Sequence, residues 1–306
     1  TAGTTLALDK FHVARADRDT ASTLNAALSA GKHLLLTPGI YHLNAALQVS
    51  NPNTVILGLG LATLIPDNGT AAMNVADVDG ITVAGVLFDA GVTNSSVLLS
   101  VGSTPGASHA TNPIALFDVS CRVGGAQAGN ATVCVTVNSH DTLIDNIWLW
   151  RADHGNGVGW DTNKSTNGII VNGNNVSAYG LFCEHFEGYQ TLWNGNNGRV
   201  YFYQSEIPYD VPNQSRWTHD GVKGYASYKV ANSVTSHDAR GLGIYSVFYN
   251  PVILENAIEA PTSSGVKFQH MITVFLGSTA GAAINHIING SGAAVTIQNM
   301  VAKSSY

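Results

Sequence analysis

The chain has 306 residues and a formal net charge of −6, and only 11% of its residues are charged. Its 32 glycines, with many Asn, Thr and β-branched residues, do not fit a disordered chain or a helical bundle. The sequence has no basic run and no apolar stretch long enough for a membrane span, so neither nucleic acid nor a membrane is expected as a partner.

One helix is predicted near the start of the chain. Asp19 or Thr20 would cap it, Leu24 and Leu28 belong to its apolar stripe, and Gly31 would end it. A short apolar strand and a Thr-Pro-Gly turn follow directly. This order is typical of a helix that caps the open end of a stacked β-sheet, which would otherwise be an aggregation edge.

After the helix, short apolar runs alternate with turns rich in Gly, Asn and Asp, and a self-similar segment recurs. Its copies are Asp79–Asp89, Asp141–Arg151, Asn174–Glu184 and, more loosely, Asn196–Glu206. The last two copies begin 22 residues apart, which fits one coil of a solenoid, and the step before them leaves room for a loop at about residues 153–166. We therefore predict an all-β chain that forms a right-handed, single-stranded parallel β-helix of the pectate-lyase-like type.

A β-sandwich is the alternative fold, since strands with glycine-rich turns also build sandwiches. A sandwich does not explain a repeat in which one position keeps one kind of residue. We predict that residues 1–18 form an extension or linker and that residues 19–306 form the β-helix domain.

Three of the five glutamates, Glu184, Glu187 and Glu206, lie in one 23-residue window. Glu184 and Glu206 are one repeat apart, so they should lie side by side on strands about 4.8 Å apart. Two like charges this close cannot both ionise easily, and one pKa should rise, which suits a general acid near neutral pH. The simpler interpretation is that both are solvated turn residues.

Aromatic residues surround these glutamates in the sequence, and all five tryptophans fall between residues 148 and 217. Flat rings stack on sugar faces and carboxylic acids protonate glycosidic oxygens, so this combination suits a carbohydrate site. About half of these rings should still belong to the core. Asp153 and His154 open the predicted loop, where they could bind sugar hydroxyls or simply stabilise a turn.

The three cysteines, Cys121, Cys134 and Cys183, match no metal-binding spacing, and neither a metal nor another cofactor is expected. Cys121 and Cys134 could form a disulfide in an oxidising compartment. Free thiols packed in the core are an equally good interpretation.

Several long motifs, in order, resemble glycoside hydrolase family 55, the β-1,3-glucanases or laminarinases of bacteria and fungi. The resemblance covers the chain from about residue 10 to its end. The motifs are Trp148–Gly155, Glu184–Gln190, Trp193–Gly195, Gln204–Asp210, Gly224–Val230 and Gly241–Tyr245.

The resemblance implies that the chain cleaves β-1,3-glucan with inversion and that Glu206 is the general acid. Glu184 would line the same site and support the acid or the attacking water. The residues expected to bind glucose units are Trp150, Asp153, His154, Tyr189, Trp193, Gln204, Tyr209 and Asp210.

Members of this family carry two tandem β-helices, and this chain resembles the second. A second β-helix half, in the same protein or a separate chain, is therefore an expected partner, and alone this chain could bind sugar without hydrolysing it. A carboxylate pair about 5 Å apart is typical of retaining enzymes. Because both glutamates lie on one wall, however, they cannot flank the scissile bond, and we predict inversion. We also expect a secreted, extracellular protein.

Two other function classes remain open. A polysaccharide lyase would need cations near a uronate, and Arg151, Arg199 and Arg216 form no tight cluster in the sequence. A non-catalytic carbohydrate-binding β-helix would carry the same aromatic residues, so the sequence discriminates poorly against it.

Overall fold

The computed structural model describes residue 3, residues 5–104 and residues 106–304. In this part of the chain the regular structure is almost entirely β-strand. The one α-helix among these residues is α1 (Ala21–Ser29), and two short 3-10 helices cover Leu8–Lys10 and Gln214–Arg216. The strands form two long sheets and one small hairpin.

The first sheet holds twelve strands among the described residues. They are β1 (Phe11–Ala14), β2 (His33–Leu36), β3 (Ile40–Leu43), β5 (Val55–Pro66), β7 (Thr82–Asp89), β9 (Ala115–Val123), β11 (Leu143–Arg151), β13 (Ser177–Glu184), β15 (Gly198–Glu206), β19 (His237–Ser246), β21 (Val266–Phe275) and β23 (Val301–Ser304). Their spatial order follows the chain, with β3 beside β5, and only β23 pairs antiparallel.

The second sheet holds nine strands among the described residues, and their order in the sheet also follows the chain. They are β4 (Leu47–Val49), β6 (Met73–Val75), β8 (Ser95–Val101), β10 (Ala131–Val137), β12 (Asn167–Val171), β14 (Thr191–Trp193), β18 (Tyr228–Val230), β20 (Ile253–Glu259) and β22 (Ala283–Ile288). The strands β16 (Thr218–His219) and β17 (Val222–Lys223) form the hairpin.

From β4 to β22 the chain alternates between the two long sheets, apart from the β16–β17 hairpin, so each coil adds one parallel strand to each sheet. Side chains alternate along each strand between the core and the outer surface. In β13, for example, Leu181 and Cys183 are fully buried while Phe182 and Glu184 are partly exposed. The coiled parallel architecture agrees with the prediction. The handedness and the single-stranded winding stay predictions.

The predicted helix is present, and its boundaries follow from the expected signals. Thr20 caps α1 in a capping box with Thr23, Leu24 and Leu28 are buried, and Gly31 follows the helix with a φ of +79°. The helix packs against β1, β2 and β4. Whether it acts as a cap stays a prediction.

The predicted boundary at residue 19 is wrong. β1 (Phe11–Ala14) pairs in parallel with β2, and Ala14 is buried in the core. The first sheet therefore begins at Phe11, before the helix, and residues 11–18 belong to the stacked structure. This strand was not predicted because an isolated run of four residues is too short to show a period.

The last two predicted repeats align as expected, but the step before them is off by one residue. Glu184 pairs with Glu206, whereas Trp150, not Arg151, pairs with Glu184. A shift of one residue moves a side chain to the other face of the sheet, and Arg151 is accordingly buried. The strands of the first sheet bend near their middle, at equivalent positions of successive coils. Gly180 in β13 has a φ of +67°, and Phe202 in β15 has a φ of +65°.

Cys121 and Cys134 form a disulfide, with 6.2 Å between their Cα atoms. Cys121 lies on β9 and Cys134 on β10, so the bond joins the first sheet to the second across the core. The free cysteine Cys183 is buried. The question left open by the sequence is thus settled in favour of the disulfide for one pair and of core packing for Cys183.

Candidate functional site: a carboxylate pair at the end of two strands

Glu184 and Glu206 are the last residues of β13 and β15 and pair directly in register. Adjacent parallel strands are about 4.8 Å apart, so the two carboxylates leave neighbouring backbone positions on the same outer face. Their inward neighbours, Cys183 and Ser205, are fully buried and fix which way the glutamates point. The predicted juxtaposition of the two glutamates is therefore present.

Glu206 is held by donors from the segment that surrounds it. The Tyr209 hydroxyl donates to Oε2 of Glu206, and Nε2 of Gln204 lies 3.5 Å from Oε1. The side chain of Glu206 is still 27% exposed. A carboxyl group that is positioned by donors and reachable from solvent can exchange a proton with a ligand.

Glu184 is partly buried and has its own hydrogen-bond donor. The indole N–H of Trp148 donates to its Oε2 at 2.9 Å. Burial raises the pKa of Glu184, and the neighbouring charge of Glu206 raises it further, while the Trp148 hydrogen bond opposes the rise. A raised pKa within the pair was predicted from like-charge repulsion, but burial is the larger cause.

His185 is a site residue that the sequence analysis missed. Its ring is buried, with Nε2 3.7 Å from Asp153 Oδ1 and 3.8 Å from Glu206 Oε2. Burial lowers the pKa of His185 and favours the neutral imidazole. The Tyr209 ring packs edge-on against it, with 4.5 Å between centroids. Its position directly after Glu184, inside a motif already recognised, was the available signal.

A tryptophan platform borders the carboxylates. Trp148 and Trp150 stack with 5.7 Å between ring centroids, and Trp148 is 46% exposed. Trp150 donates its indole N–H to Asp153 at 3.2 Å, and His154 lies 2.9 Å from the same oxygen. The predicted residues Trp150, Asp153 and His154 thus come together beside the pair. Trp148 was not predicted, although its spacing of two from Trp150 places both on one face.

Asp210 is bound by a buried arginine. Arg151 donates to both carboxylate oxygens of Asp210, at 3.0 and 2.9 Å, and also to the carbonyl oxygens of Asn163 and His185. This guanidinium ties the loop after β11 to the segments after β13 and β15. Asp210 therefore has a structural role, and its predicted contact with sugar stays a prediction.

Two of the three arginines considered for a lyase, Arg151 and Arg216, are engaged elsewhere. Arg151 is fully buried against Asp210, and Arg216 donates to both oxygens of Asp161. Neither guanidinium is free to bind a substrate carboxylate. This arrangement weighs against the lyase alternative.

The prediction that Trp193 binds sugar is wrong, because this side chain is fully buried. Its ring stacks on Tyr228 and packs against His237 inside the coil. Tyr189 reaches the surface but lies in a different place from the carboxylate pair. Its ring contacts His219 and Tyr225, with centroid distances of 5.5 and 5.3 Å, at the corner that leads into β14.

Within the described residues, no cluster of three or more His, Cys, Asp or Glu side chains is arranged to hold a metal ion. Over the same residues, no helix is long and apolar enough to cross a membrane.

Comparison with known proteins shows which family the chain belongs to. The chain is 50% identical over 294 residues to an exo-β-1,3-glucanase of Streptomyces sp. (strain SirexAA-E / ActE), which covers 95% of this chain and 48% of the relative. The structure of sacteLam55A from Streptomyces sp. SirexAA-E superimposes with a TM-score of 0.93 at 46% identity, over 97% of this chain and 55% of that one.

A glutamate-to-alanine variant of sacteLam55A in complex with glucose superimposes with a TM-score of 0.97 at 46% identity, over 100% of this chain and 56% of that one. The chain thus spans about half the length of the relatives it matches. The predicted resemblance to the laminarinases is confirmed. The family model of the LAM55 pectate lyase-like domain matches residues 11–206, and the chain belongs to this family.

Proposed function

We propose that this chain carries the acid-donating wall of a β-1,3-glucan hydrolase, built on a right-handed, single-stranded parallel β-helix. The observation that carries the proposal is the in-register pair Glu184–Glu206, with Tyr209, Gln204 and His185 around Glu206. The exo-β-1,3-glucanase relative supports the substrate class.

In the productive state, Glu206 is protonated and Glu184 is ionised. Glu206 gives its proton to the glycosidic oxygen as the bond breaks, and the leaving chain departs as a neutral alcohol. Burial and the neighbouring charge of Glu206 raise the pKa of Glu184, so the ionisation of Glu184 sets the acidic limit of activity.

The reaction inverts the anomeric centre. Glu184 and Glu206 project from the same face of adjacent strands, so neither can attack the sugar from the side opposite the leaving oxygen. Water must then attack from that side, and this gives the inverted product.

The opposite wall would come from a second β-helix half, consistent with the half-length coverage of the relatives. The tryptophan platform of Trp148 and Trp150 would bind a glucose ring beside the acid. We also propose that the protein acts outside the cell, where such a polysaccharide is found.

The test is hydrolysis of laminarin by the chain alone, measured as reducing sugar, with Glu206→Gln beside the unaltered protein. Glu255→Gln is the matched control, since Glu255 lies on β20 of the second sheet. We expect Glu206→Gln to lose activity by at least about a thousandfold and the control to keep it. Equal activity in Glu206→Gln and the unaltered chain would refute the assignment of the acid.

Proton NMR of the first product formed decides the stereochemistry. An α-anomer supports inversion, and a β-anomer contradicts it. An ultraviolet-absorbing unsaturated product would instead revive the lyase alternative.

A second candidate function is glycan binding without hydrolysis, which the exposed tryptophan platform of Trp148 and Trp150 favours. Laminarin that binds to the chain but is not cleaved, with cleavage restored by the other half, would place the acid on this chain and the water on its partner. Binding with no cleavage in either condition would support the binding function.

A further inference from the structure

A second cleft, separate from the carboxylate pair, opens on the outer face of the second sheet. Its volume is about 540 Å³, and its lining includes Tyr189, His219, Lys229, Glu259 and Asn256. Glu259 on β20 and Asp220 in the turn of the β16–β17 hairpin also line it, whereas the glutamates of the first sheet do not. The cleft therefore has its own set of polar groups.

Two rings, Tyr189 and His219, line this cleft, and Tyr225 packs against both of them to complete a three-ring wall. His219 and Tyr225 stack with 4.8 Å between centroids and 26° between planes, and Tyr189 meets both edge-on. All three side chains are partly exposed. Stacked and edge-on rings of this kind offer a firm apolar surface to the C–H face of a sugar ring.

An ion pair forms the floor. Lys229 and Glu259 are register neighbours on β18 and β20, and Nζ of Lys229 donates to Oε2 of Glu259 at 2.9 Å. Nε2 of His219 lies 3.5 Å from the other oxygen, and Nδ1 of His219 lies 2.6 Å from the Gly224 carbonyl oxygen, so Nδ1 carries a proton. The opposite charges of Lys229 and Glu259 cancel. The ammonium group of Lys229 still has N–H donors for a ligand, and the carboxylate of Glu259 still has lone pairs that can accept.

The surface continues beyond Tyr225 into a smaller cleft of about 240 Å³. Trp160, Glu187 and Arg216 line it together with Tyr225. The two clefts lie on either side of the three-ring wall. Together they form a polar and aromatic surface that extends beyond any one of the three rings. Such an extended surface suits a chain of residues better than an isolated small molecule.

We propose that this cleft is a second binding site for a neutral polysaccharide chain, distinct from the site of bond cleavage. The neutralised floor selects against anions, and the combination of rings, carboxylate and ammonium fits hydroxyl-rich sugar rings. The identity of the polysaccharide as β-1,3-glucan rests on the proposed function. The site would hold a long substrate on the protein while its end is processed elsewhere.

The test is retardation of the protein during native electrophoresis through gels that contain laminarin, carried out on Glu206→Gln so that nothing is cleaved. Adding Lys229→Gln, and separately His219→Ala, should weaken the apparent affinity for laminarin about tenfold. Tyr179→Ala is the control, because Tyr179 is an exposed ring on the first sheet. Unchanged retardation in both cleft variants, or no retardation of the parent, would overturn the proposal.

Thermal unfolding of each variant shows whether the fold is intact. If Lys229→Gln unfolds, because Glu259 has lost its partner, His219→Ala still tests the cleft. Hydrolysis of laminaritriose, a substrate of only three sugar rings, is measured with Glu206 restored. Loss of laminarin binding with hydrolysis of the trisaccharide unchanged is the expected result. A protein that never hydrolyses but shows cleft-dependent binding would contradict the proposed function and leave the second site standing.

Discussion

Trp148 on β11 reaches diagonally toward the neighbouring strand β13 and donates its indole N–H to Glu184 Oε2 at 2.9 Å. The direct register partner of Glu184 on β11 is Trp150, two residues after Trp148. One tryptophan of the platform therefore also tunes the carboxylate next to the proposed acid. This double role joins the proposed sugar-binding surface to the protonation state of the pair.

Replacing Trp148 by Phe should move the acidic limb of the activity profile to higher pH. The lost hydrogen bond stabilised the ionised form of Glu184, so the already raised pKa of this group rises further. A higher pH is then needed to ionise it, and we expect a shift of about half a pH unit. The measurement is kcat on laminarin from pH 3 to pH 9.

Trp150→Phe is the control for this shift, since its indole N–H goes to Asp153 instead. The control should weaken activity without moving the acidic limb. An unmoved limb in Trp148→Phe would show that the ionisation of Glu184 does not limit the reaction.

Tyr209→Phe should lower the plateau rate on laminarin about tenfold. The Tyr209 hydroxyl donates to Glu206, and without this donor the carboxyl of Glu206 is held less firmly for proton transfer. The measurement is kcat on laminarin. Tyr249→Phe, whose ring packs against Tyr209, should leave the rate nearly unchanged. An unchanged rate in Tyr209→Phe would show that this hydroxyl does not position the acid.

The sequence predicted the Glu184–Glu206 pair because nothing but one regular coil separates these residues. A spacing of 22 residues and a period of two are enough to place both on one outer face. The step from Arg151 to Glu184 was misjudged because it contains the long loop after β11. The step is one residue longer than predicted, so Trp150 and not Arg151 lies beside Glu184.

The burial of Trp193 and the role of His185 could not be predicted either, because both depend on a turn between two strands. His185 has a φ of +67°, so the chain turns there in a way that no period anticipates. The phase of the three-residue strand that follows, and with it the burial of Trp193, depends on this turn. The role of His185 arises from its contact with Asp153, which the path of the loop determines.

Arg151→Met should destabilise the fold strongly. It removes the partner of the Asp210 carboxylate and the donors to two buried carbonyl oxygens. Breaking one side of a buried ion pair costs about 3–5 kcal/mol, so we expect a loss of this order in urea-induced unfolding. Arg151→Met combined with Asp210→Asn should lose less than the two single changes added together.

Arg216→Met is the matched control, because its ion pair with Asp161 is largely exposed, at 43% and 58% of the two side chains. We expect almost no change in its unfolding midpoint. Equal losses for Arg151→Met and Arg216→Met would show that the buried guanidinium does not hold the three segments together.

Glu187→Gln should stabilise the chain at alkaline pH and leave it unchanged at acidic pH. Burial raises the pKa of Glu187 from 4.5 to about 7, against the opposing charge of Arg151. A group whose pKa is higher in the folded state contributes its full stability below its unfolded pKa, and this contribution is lost as the pH rises through about 7. Glutamine has no proton to lose and avoids that loss. At pH 8 we expect a gain of roughly 1–3 kcal/mol.

The measurement is urea-induced unfolding of the unaltered chain and Glu187→Gln at pH 4 and pH 8. Glu255→Gln is the control, because its side chain is 34% exposed, against 19% for Glu187. The difference between Glu187→Gln and the unaltered chain should appear only at pH 8, since the carboxyl is protonated in both folded and unfolded chains at the lower pH. A difference of the same size at both pH values would assign it to packing of the amide and not to the buried charge.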